Sequence, residues 1–303
     1  PFWKDFLAGG IAGMMEHTVM FPIDTIKTRM QLQGEMPMAH PRYKGMIDCF
    51  RWIWKNEGWR GLWRGLGANV IRYIPQWAIR FGFYEFMKEM FIDYFGEDDN
   101  YWMWFWMNYM AGSMAGEWIS VIITYPMWVV KTRLQADQKH PHSQPRHYNG
   151  VWNCWRKIYR EEGGFKGLYR GWTPTWMRMI PYQMIYFFVY ETLKEWLYNY
   201  TGYNPGPREL CMDDSPWWHW IIGWMIAGMI AWIVSYPFDV VRTRMMMDSM
   251  EDHKYQSMLD CWMQIYKNEG FKGFWKGFWP RIMRIMPWTA IMFMIYEQMK
   301  WFL

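Results

Sequence analysis

The chain carries little cysteine, and none of it is spaced to pair. Four cysteines stand in 303 residues without a CxxC, so neither a disulfide framework nor a cysteine zinc site is indicated. Charged residues make up 20% of the chain, below the usual quarter. The histidines at 17, 40, 140, 142, 147, 219 and 253 show no metal-ligand spacing, and no metal is expected. There is no GxGxxG or P-loop phrase and no evident nucleophile–base pair. The chain therefore does not read as an enzyme, and no catalytic residue or cofactor is expected. The N-terminal stretch lacks the order of a secretory signal, and an opening on Pro1 is expected to reflect a trimmed start. The net charge of +5 is modest, and the bases recur in short loops rather than one patch, which argues against a nucleic-acid partner.

Aromatic residues, by contrast, are abundant: 21% of the chain, with 26 Trp, alongside 31 Met. The mean hydropathy of −0.29 undervalues such a chain, because hydropathy scales score Trp and Tyr as polar although both suit a membrane interface. Three phrases recur in the same order. Pro22-Ile-Asp24-Thr-Ile-Lys27-Thr-Arg29 returns as Pro126-Met-Trp128-Val-Val-Lys131-Thr-Arg133 and as Pro237-Phe-Asp239-Val-Val-Arg242-Thr-Arg244. Glu57-Gly58 leading to Trp63-Arg64-Gly65 returns as Glu162-Gly163 to Tyr169-Arg170-Gly171 and as Glu269-Gly270 to Trp275-Lys276-Gly277. Tyr84-Glu85 with Lys88 returns as Tyr190-Glu191 with Lys194 and Tyr296-Glu297 with Lys300. The chain is therefore read as three repeats, 1–100, 101–208 and 209–303, within one transmembrane domain.

Each repeat offers two stretches long enough to cross about 30 Å of hydrocarbon, near 6–29, 68–92, 102–132, 172–198, 217–243 and 279–302. The loops alternate in charge. Those after the odd stretches hold Arg42, Lys44, Arg51, Lys139, Arg156, Lys157, Lys254 and Lys267, while those after the even ones hold Glu97, Asp98, Asp99, Asp213 and Asp214. Even parity with all basic loops on one side predicts an all-α, six-helix membrane protein with both termini on the other side. The basic loops also contain short amphipathic stretches such as Ile47 to Trp54, expected to lie on the membrane surface. Small residues four apart recur in the odd stretches (Gly9 and Gly13, Gly112 and Gly116, Gly223 and Ala227) and predict close helix packing. Cys49, Cys154 and Cys261 hold matching repeat positions and are expected to be far apart and reduced.

A proline late in each odd helix is expected to kink it and bring three helix ends together. The acid two residues later and the base five later would then face one another as a ring of reversible ion pairs. Tyr84, Glu85, Lys88, Tyr190, Glu191, Lys194, Tyr296, Glu297 and Lys300 would form a second ring at the opposite mouth. Two closable rings around a central site describe alternating access.

On these phrases the chain resembles the mitochondrial carrier family over nearly its whole length. The resemblance implies a pseudo-threefold barrel of six tilted helices with three surface helices, a monomer in the inner mitochondrial membrane. It implies a matrix gate of Asp24, Lys27, Lys131, Asp239 and Arg242, braced by Gln31 and Gln135, with Met246 where a third glutamine is expected. It makes the other ring the cytoplasmic gate. It also implies structural cardiolipin, held at the turns of Gly65, Gly171 and Gly277 by backbone N–H groups at helix starts. Trp128 replaces the acid of the second repeat, so Arg242 is expected to lack its usual partner and the gate to be one pair weaker.

Aligned on those glycines, Arg72, Arg178 and Arg284 fall at one level, and an arginine within a span usually marks a substrate path. A step of four gives Arg72, Gln76 and Arg80 on one face, and Arg178 with Tyr182; the first helix adds His17. Arginine forks favour carboxylate or phosphate, so an anionic small molecule is the expected substrate. Tyr43-Lys44-Gly45-Met46-Ile47-Asp48-Cys49, Ala68-Asn69-Val70-Ile71-Arg72-Tyr73 and Arg242-Thr243-Arg244-Met245-Met246-Met247 are similar to the ADP/ATP carrier subgroup, which implies nucleotide exchange. Two departures, Thr243 for the middle of three arginines and Arg178 for a small residue, keep a carboxylate or amino-acid carrier as the alternative. Glu16-His17-Thr18-Val19-Met20 resembles iron carriers, without the other residues expected of them. A proton-leak protein and a transport-silent scaffold of the same fold are the remaining readings.

Overall fold

A computed structural model describes residues 2–33, 43–95, 116–137, 147–201, 217–248 and 254–284. Their regular structure is helical throughout. In chain order the helices are α1 (Phe2–Gln31), α2 (Met46–Glu57), α3 (Trp59–Leu62), α4 (Leu66–Phe95), α5 (Gly116–Ala136), α6 (Val151–Glu161), α7 (Phe165–Leu168), α8 (Trp172–Thr201), α9 (Trp217–Met247) and α10 (Met258–Glu269). A 3₁₀ turn, Phe271–Trp275, stands in the third repeat where the others have α3 and α7, and residues 278–284 are helical again. The order long helix, surface helix, short turn, long helix is thus the structural form of the repeated phrases.

The chain divides into two compact units, and the division falls inside the long helices. The larger holds Pro1–Ile71, Tyr125–Tyr182 and Trp232–Leu303; the smaller holds Arg72–Thr124 and Gln183–Ala231. The larger unit gathers the proline phrases, the amphipathic helices and the starts of the even helices from all three repeats.

Within it, α2, α6 and α10 bury the same two positions four apart, one helical turn: Cys49 and Ile53, Cys154 and Ile158, Cys261 and Ile265. In repeat 1 these meet Ile26, Tyr43 and Leu62; in repeat 3 they meet Val241, Tyr255 and Phe274. Burying an isoleucine of this kind stabilises by about 1.5–3 kcal/mol. The three cysteines are free and buried, and burial pushes the Cys49 and Cys154 thiols up to about 12. They act as small apolar side chains, as their repeat-matched positions predict; Cys211 lies outside the described residues.

Each long helix runs on through its proline: Pro22, Pro75, Pro126, Pro181 and Pro237 all sit inside helices. Proline has no N–H, so the carbonyl four residues back loses its helical partner. In α1 that carbonyl belongs to Thr18, and the Trp63 indole donates to it at 2.9 Å. The aromatic of the Trp-Arg-Gly phrase thus repairs the gap that the proline leaves.

The long helices reverse the usual sorting of residues. In the smaller unit Phe188 is 74% exposed, with Ile74 and Met184 also outside; in the larger, Val19, Val234 and Trp279 face outward while Asp239 is 3% exposed and Asp24, Lys131 and Arg178 are buried. Among the described residues, Met225–Met247 alone is long and apolar enough over its whole sequence to cross a membrane. The other long helices dilute their apolar outer face with the charges they bury.

Candidate functional site

The site is built at the ends of α1, α5 and α9, where the three proline phrases meet in the larger unit. Lys27 pairs with Asp239 at 2.6 Å, joining repeats 1 and 3. Lys131 pairs with Asp24 at 3.2 Å, joining repeats 2 and 1. The third link joins repeats 3 and 2 by other chemistry. The Arg242 guanidinium lies 3.5 Å from the centroid of the Trp128 ring, well inside cation–π reach. In place of the acid that the second repeat lacks, Arg242 faces the Trp128 indole. Arg242 also lies 3.7 Å from Asp239 on its own helix.

The bracing residues sit beside these links. Gln31 Nε2 donates to Asp239 Oδ2 and to the Tyr236 hydroxyl, each at 3.1 Å. Gln135 accepts from the Thr28 hydroxyl at 3.1 Å. Met246 receives the Thr132 hydroxyl at its sulfur, 3.6 Å away. Thr243, the departure noted in the sequence, donates to Gln31 Oε1 at 2.9 Å. The threonine of each phrase thus reaches the brace position of the following repeat.

The second base of each phrase has a different partner, which is the glutamate of the Glu-Gly phrase in its own repeat. Arg29 makes a bidentate pair with Glu57 at 2.6 and 2.9 Å. Arg133 forks onto Glu162, one arm at 2.6 Å, and Arg244 meets Glu269 at 2.7 Å. The Nε of each arginine also donates to a carbonyl of the next repeat: Arg29 to Gln135 at 3.0 Å, Arg133 to Met246 at 3.1 Å, Arg244 to Gln31 at 3.2 Å. These glutamates were visible in the sequence as a repeated phrase. The unassigned second base in each copy was the signal that could have paired them.

The base of the Trp-Arg-Gly phrase also reaches forward. Arg64 pairs with Asp137 and donates to the Tyr148 carbonyl at 2.7 Å. Arg170 pairs with Asp248. Lys276 meets Glu269 at 2.7 Å and, where repeat 1 has Gln33 in place of an aspartate, donates to the Gln33 carbonyl at 2.9 Å. The adjoining Gly65, Gly171 and Gly277 have φ of 91°, 80° and 79°, a region that favours glycine. A Cβ at Gly277 would meet the Lys27 carbonyl oxygen at 3.0 Å, and one at Gly171 the Arg242 carbonyl oxygen at 3.2 Å. These positions need glycine for close packing against the gate helices.

The arginines expected to face substrate fall in both units. In the smaller unit Arg72 is buried and bonds to Gln76 one turn on. In the larger, Arg284 pairs with Asp24 and lies 3.6 Å from Glu16, whose other oxygen contacts His17 Nδ1. Arg178 Nε lies 4.0 Å from Asp239. Its guanidinium is 5.0 Å from the Trp232 ring, which also packs on Tyr182 at 5.0 Å. Arg281, a residue the sequence reading passed over, lies 3.6 Å from the same indole. Two of the arginines expected to face substrate thus reach Asp24 and Asp239, the acids of the proline phrases.

Of the second ring, Tyr190 stacks on Tyr186 in the smaller unit, centroids 6.4 Å apart. The side chains of Arg80, Tyr84, Glu85, Lys88, Glu191 and Lys194 lie outside the described set, as do Tyr296, Glu297 and Lys300 altogether. Among the described residues no group of histidine, cysteine, aspartate or glutamate could hold a metal.

Comparison with known proteins agrees with this arrangement. The family model described as mitochondrial carrier protein matches residues 1–95, 101–201 and 213–303. The chain belongs to the mitochondrial carrier family. It is 37% identical to ADP/ATP translocase 3 of Bos taurus and to ADP/ATP translocase 2 of Rattus norvegicus, each over 307 residues, covering 99% of this chain and 97% of the relative. It is 36% identical to ADP/ATP translocase 4 of Mus musculus, covering all of this chain and 90% of that one.

Proposed function

We propose that the protein exchanges an anionic metabolite across the inner mitochondrial membrane by alternating access, with an adenine nucleotide as first choice. The observation that carries this reading is a charge imbalance. The long-helix side chains described in the larger unit, once Arg29, Arg133 and Arg244 are set against their glutamates, leave six bases, Lys27, Lys131, Arg178, Arg242, Arg281 and Arg284. They face three acids, Glu16, Asp24 and Asp239. Buried charge is costly unless compensated, and an excess of cations is best met by an anion that comes and goes.

The outward apolar and inward charged faces support six tilted spans around a wet chamber, and with it the inner-membrane location. The formed Lys27–Asp239 and Lys131–Asp24 pairs correspond to a state closed on the matrix side. Resemblance to ADP/ATP translocases over the full length supports nucleotide as cargo, and repeat register assigns Arg72, Gln76 and Arg80 to it with Arg178, Tyr182, Arg284 and His17. The second ring of tyrosines, acids and bases is proposed as the cytoplasmic gate. Cardiolipin at the turns after Trp63, Tyr169 and Trp275, and a monomeric state, belong to the same reading. Arg178 favours the second reading, a carboxylate or amino-acid carrier.

The test is exchange in cardiolipin-containing liposomes. Vesicles loaded with ADP should take up labelled ADP, and vesicles loaded with malate or an amino acid should do so poorly. Uptake of malate or an amino acid in preference to ADP would establish the second reading. Proton conductance with no exchange would replace both by a leak, and silence in every assay would leave a scaffold.

A further inference from the structure

Three elements of the larger unit converge on one indole. Trp232 of α9 has the Arg178 guanidinium of α8 at 5.0 Å and that of Arg281, from helical residues 278–284, at 3.6 Å. Both fall within the roughly 6 Å over which a ring face attracts a cation. Two like charges are thereby gathered at one place. Arg281 makes no ion pair among the described residues. Among the described residues Arg178 has one acid contact, the long one of 4.0 Å to Asp239, a carboxylate already engaged by Lys27 at 2.6 Å, by Gln31 at 3.1 Å and by Arg242 at 3.7 Å. Arg178 is 6% exposed, and the Nε atoms of Arg178 and Arg281 are buried with no hydrogen-bond partner. Buried donors of charged groups are ordinarily satisfied. Here, among the described residues, two lack such a partner, on guanidinium forks that share one indole.

We propose that Arg178 and Arg281, held by Trp232, form an oxyanion subsite that takes a doubly charged tetrahedral group, a phosphate, of the carried metabolite. The proposal rests on the anion-exchange reading above and narrows it. Two guanidinium forks supply planar paired donors that suit a phosphate bidentately, and their combined charge matches a dianion better than a single carboxylate. Trp232 is a positioning residue: it holds the forks together in the absence of cargo. Asp239 is the internal competitor, so a phosphate that captures Arg178 also draws a base away from a gate acid.

The test compares Arg281→Gln, Arg281→Lys, Trp232→Leu and Trp232→Phe with the unaltered protein in liposome exchange of ADP and of malate, and in thermal shift by pyrophosphate. Arg281→Gln should raise the KM for ADP about 10-fold or more, the usual effect of losing a charged hydrogen bond, and abolish the pyrophosphate shift. The maximal exchange rate should change far less. Arg281→Lys, which keeps the charge without the fork, should recover only part. Trp232→Leu should resemble Arg281→Gln, and Trp232→Phe should lie between. If Trp232→Leu fails to fold, the Arg281 pair decides alone. Wild-type KM for ADP in Arg281→Gln would overturn the subsite while leaving the carrier reading intact. An equal rise in KM for malate would overturn its phosphate preference. If the unaltered protein exchanges neither anion, the carrier reading fails and the subsite with it.

Discussion

Two sets of bases, two residues apart in the same phrases, have opposite surroundings. Arg29, Arg133 and Arg244 each sit on a glutamate of their own repeat and are fully buried in a charge-balanced contact. Lys27, Lys131 and Arg242 reach other repeats instead, to two acids and one indole, in a region where bases outnumber acids. The difference lies in the partner: the first set has a carboxylate of its own repeat beside each guanidinium, the second has single contacts drawn from other repeats. Two residues, about half a helical turn, separate the two kinds of joint.

The sharpest way to break this contrast is on the within-repeat side. Arg133→Ala leaves Glu162 buried without its partner, and should cost about 3–5 kcal/mol, seen as a large drop in melting temperature of the purified protein. Replacing both by apolar residues should restore most of that loss; an Arg133→Ala protein as stable as the parent would refute the assignment. On the other side, Arg284→Ala removes one cation from a surplus. Exchange should be lost, and melting temperature should fall by less than in Arg133→Ala, because Asp24 keeps Lys131 while Glu16 loses its base; full uptake by this variant would reject the anion site. A smaller effect belongs to the mixed link. Trp128→Ala gives up a buried cation–π contact of about 2 kcal/mol and should lower the melting temperature of the form closed to the matrix. Trp128→Asp should regain it through an ion pair with Arg242. The smallest effect is a control outside the gate. The Cys49 and Cys154 thiols, ordinarily near 9.0, are pushed up to about 12 in the folded protein. Below pH 9 both states keep these protons and stability is unaffected. Between pH 9 and 12 the unfolded chain releases them first, so stability should fall by about 1.4 kcal/mol per pH unit for each thiol. Cys49→Ala with Cys154→Ala should flatten that slope in alkaline denaturation.

Much of this was legible before any coordinates. The repeated phrases singled out these acids and bases, and the structure pairs Lys27 with Asp239 and Lys131 with Asp24. The amphipathic stretch from Ile47 to Trp54 is α2. Other features were hidden for physical reasons. Trp128 was read as the loss of an acid because charge patterning does not register an aromatic face as a cation's partner. Arg281 stands three residues before Arg284, off the four-residue step used to trace the chamber face. Trp232 is one tryptophan among 26, and a residue so common carries no local signal. Glu57, Glu162 and Glu269 were seen to repeat, but their partners lie 25 to 29 positions away, and sequence spacing does not reveal which helix a loop folds back upon.

The forward contacts of Arg29, Arg133 and Arg244 run from repeat 1 to 2, 2 to 3 and 3 to 1. A circuit of this kind has no first member. Any fragment of one or two repeats leaves one arginine Nε without its carbonyl and one carbonyl unclaimed, and only the arrival of the last repeat removes both at once. Insertion should therefore finish in a single closing event, and a chain truncated before α9 should be degraded rather than accumulate as a partial pore.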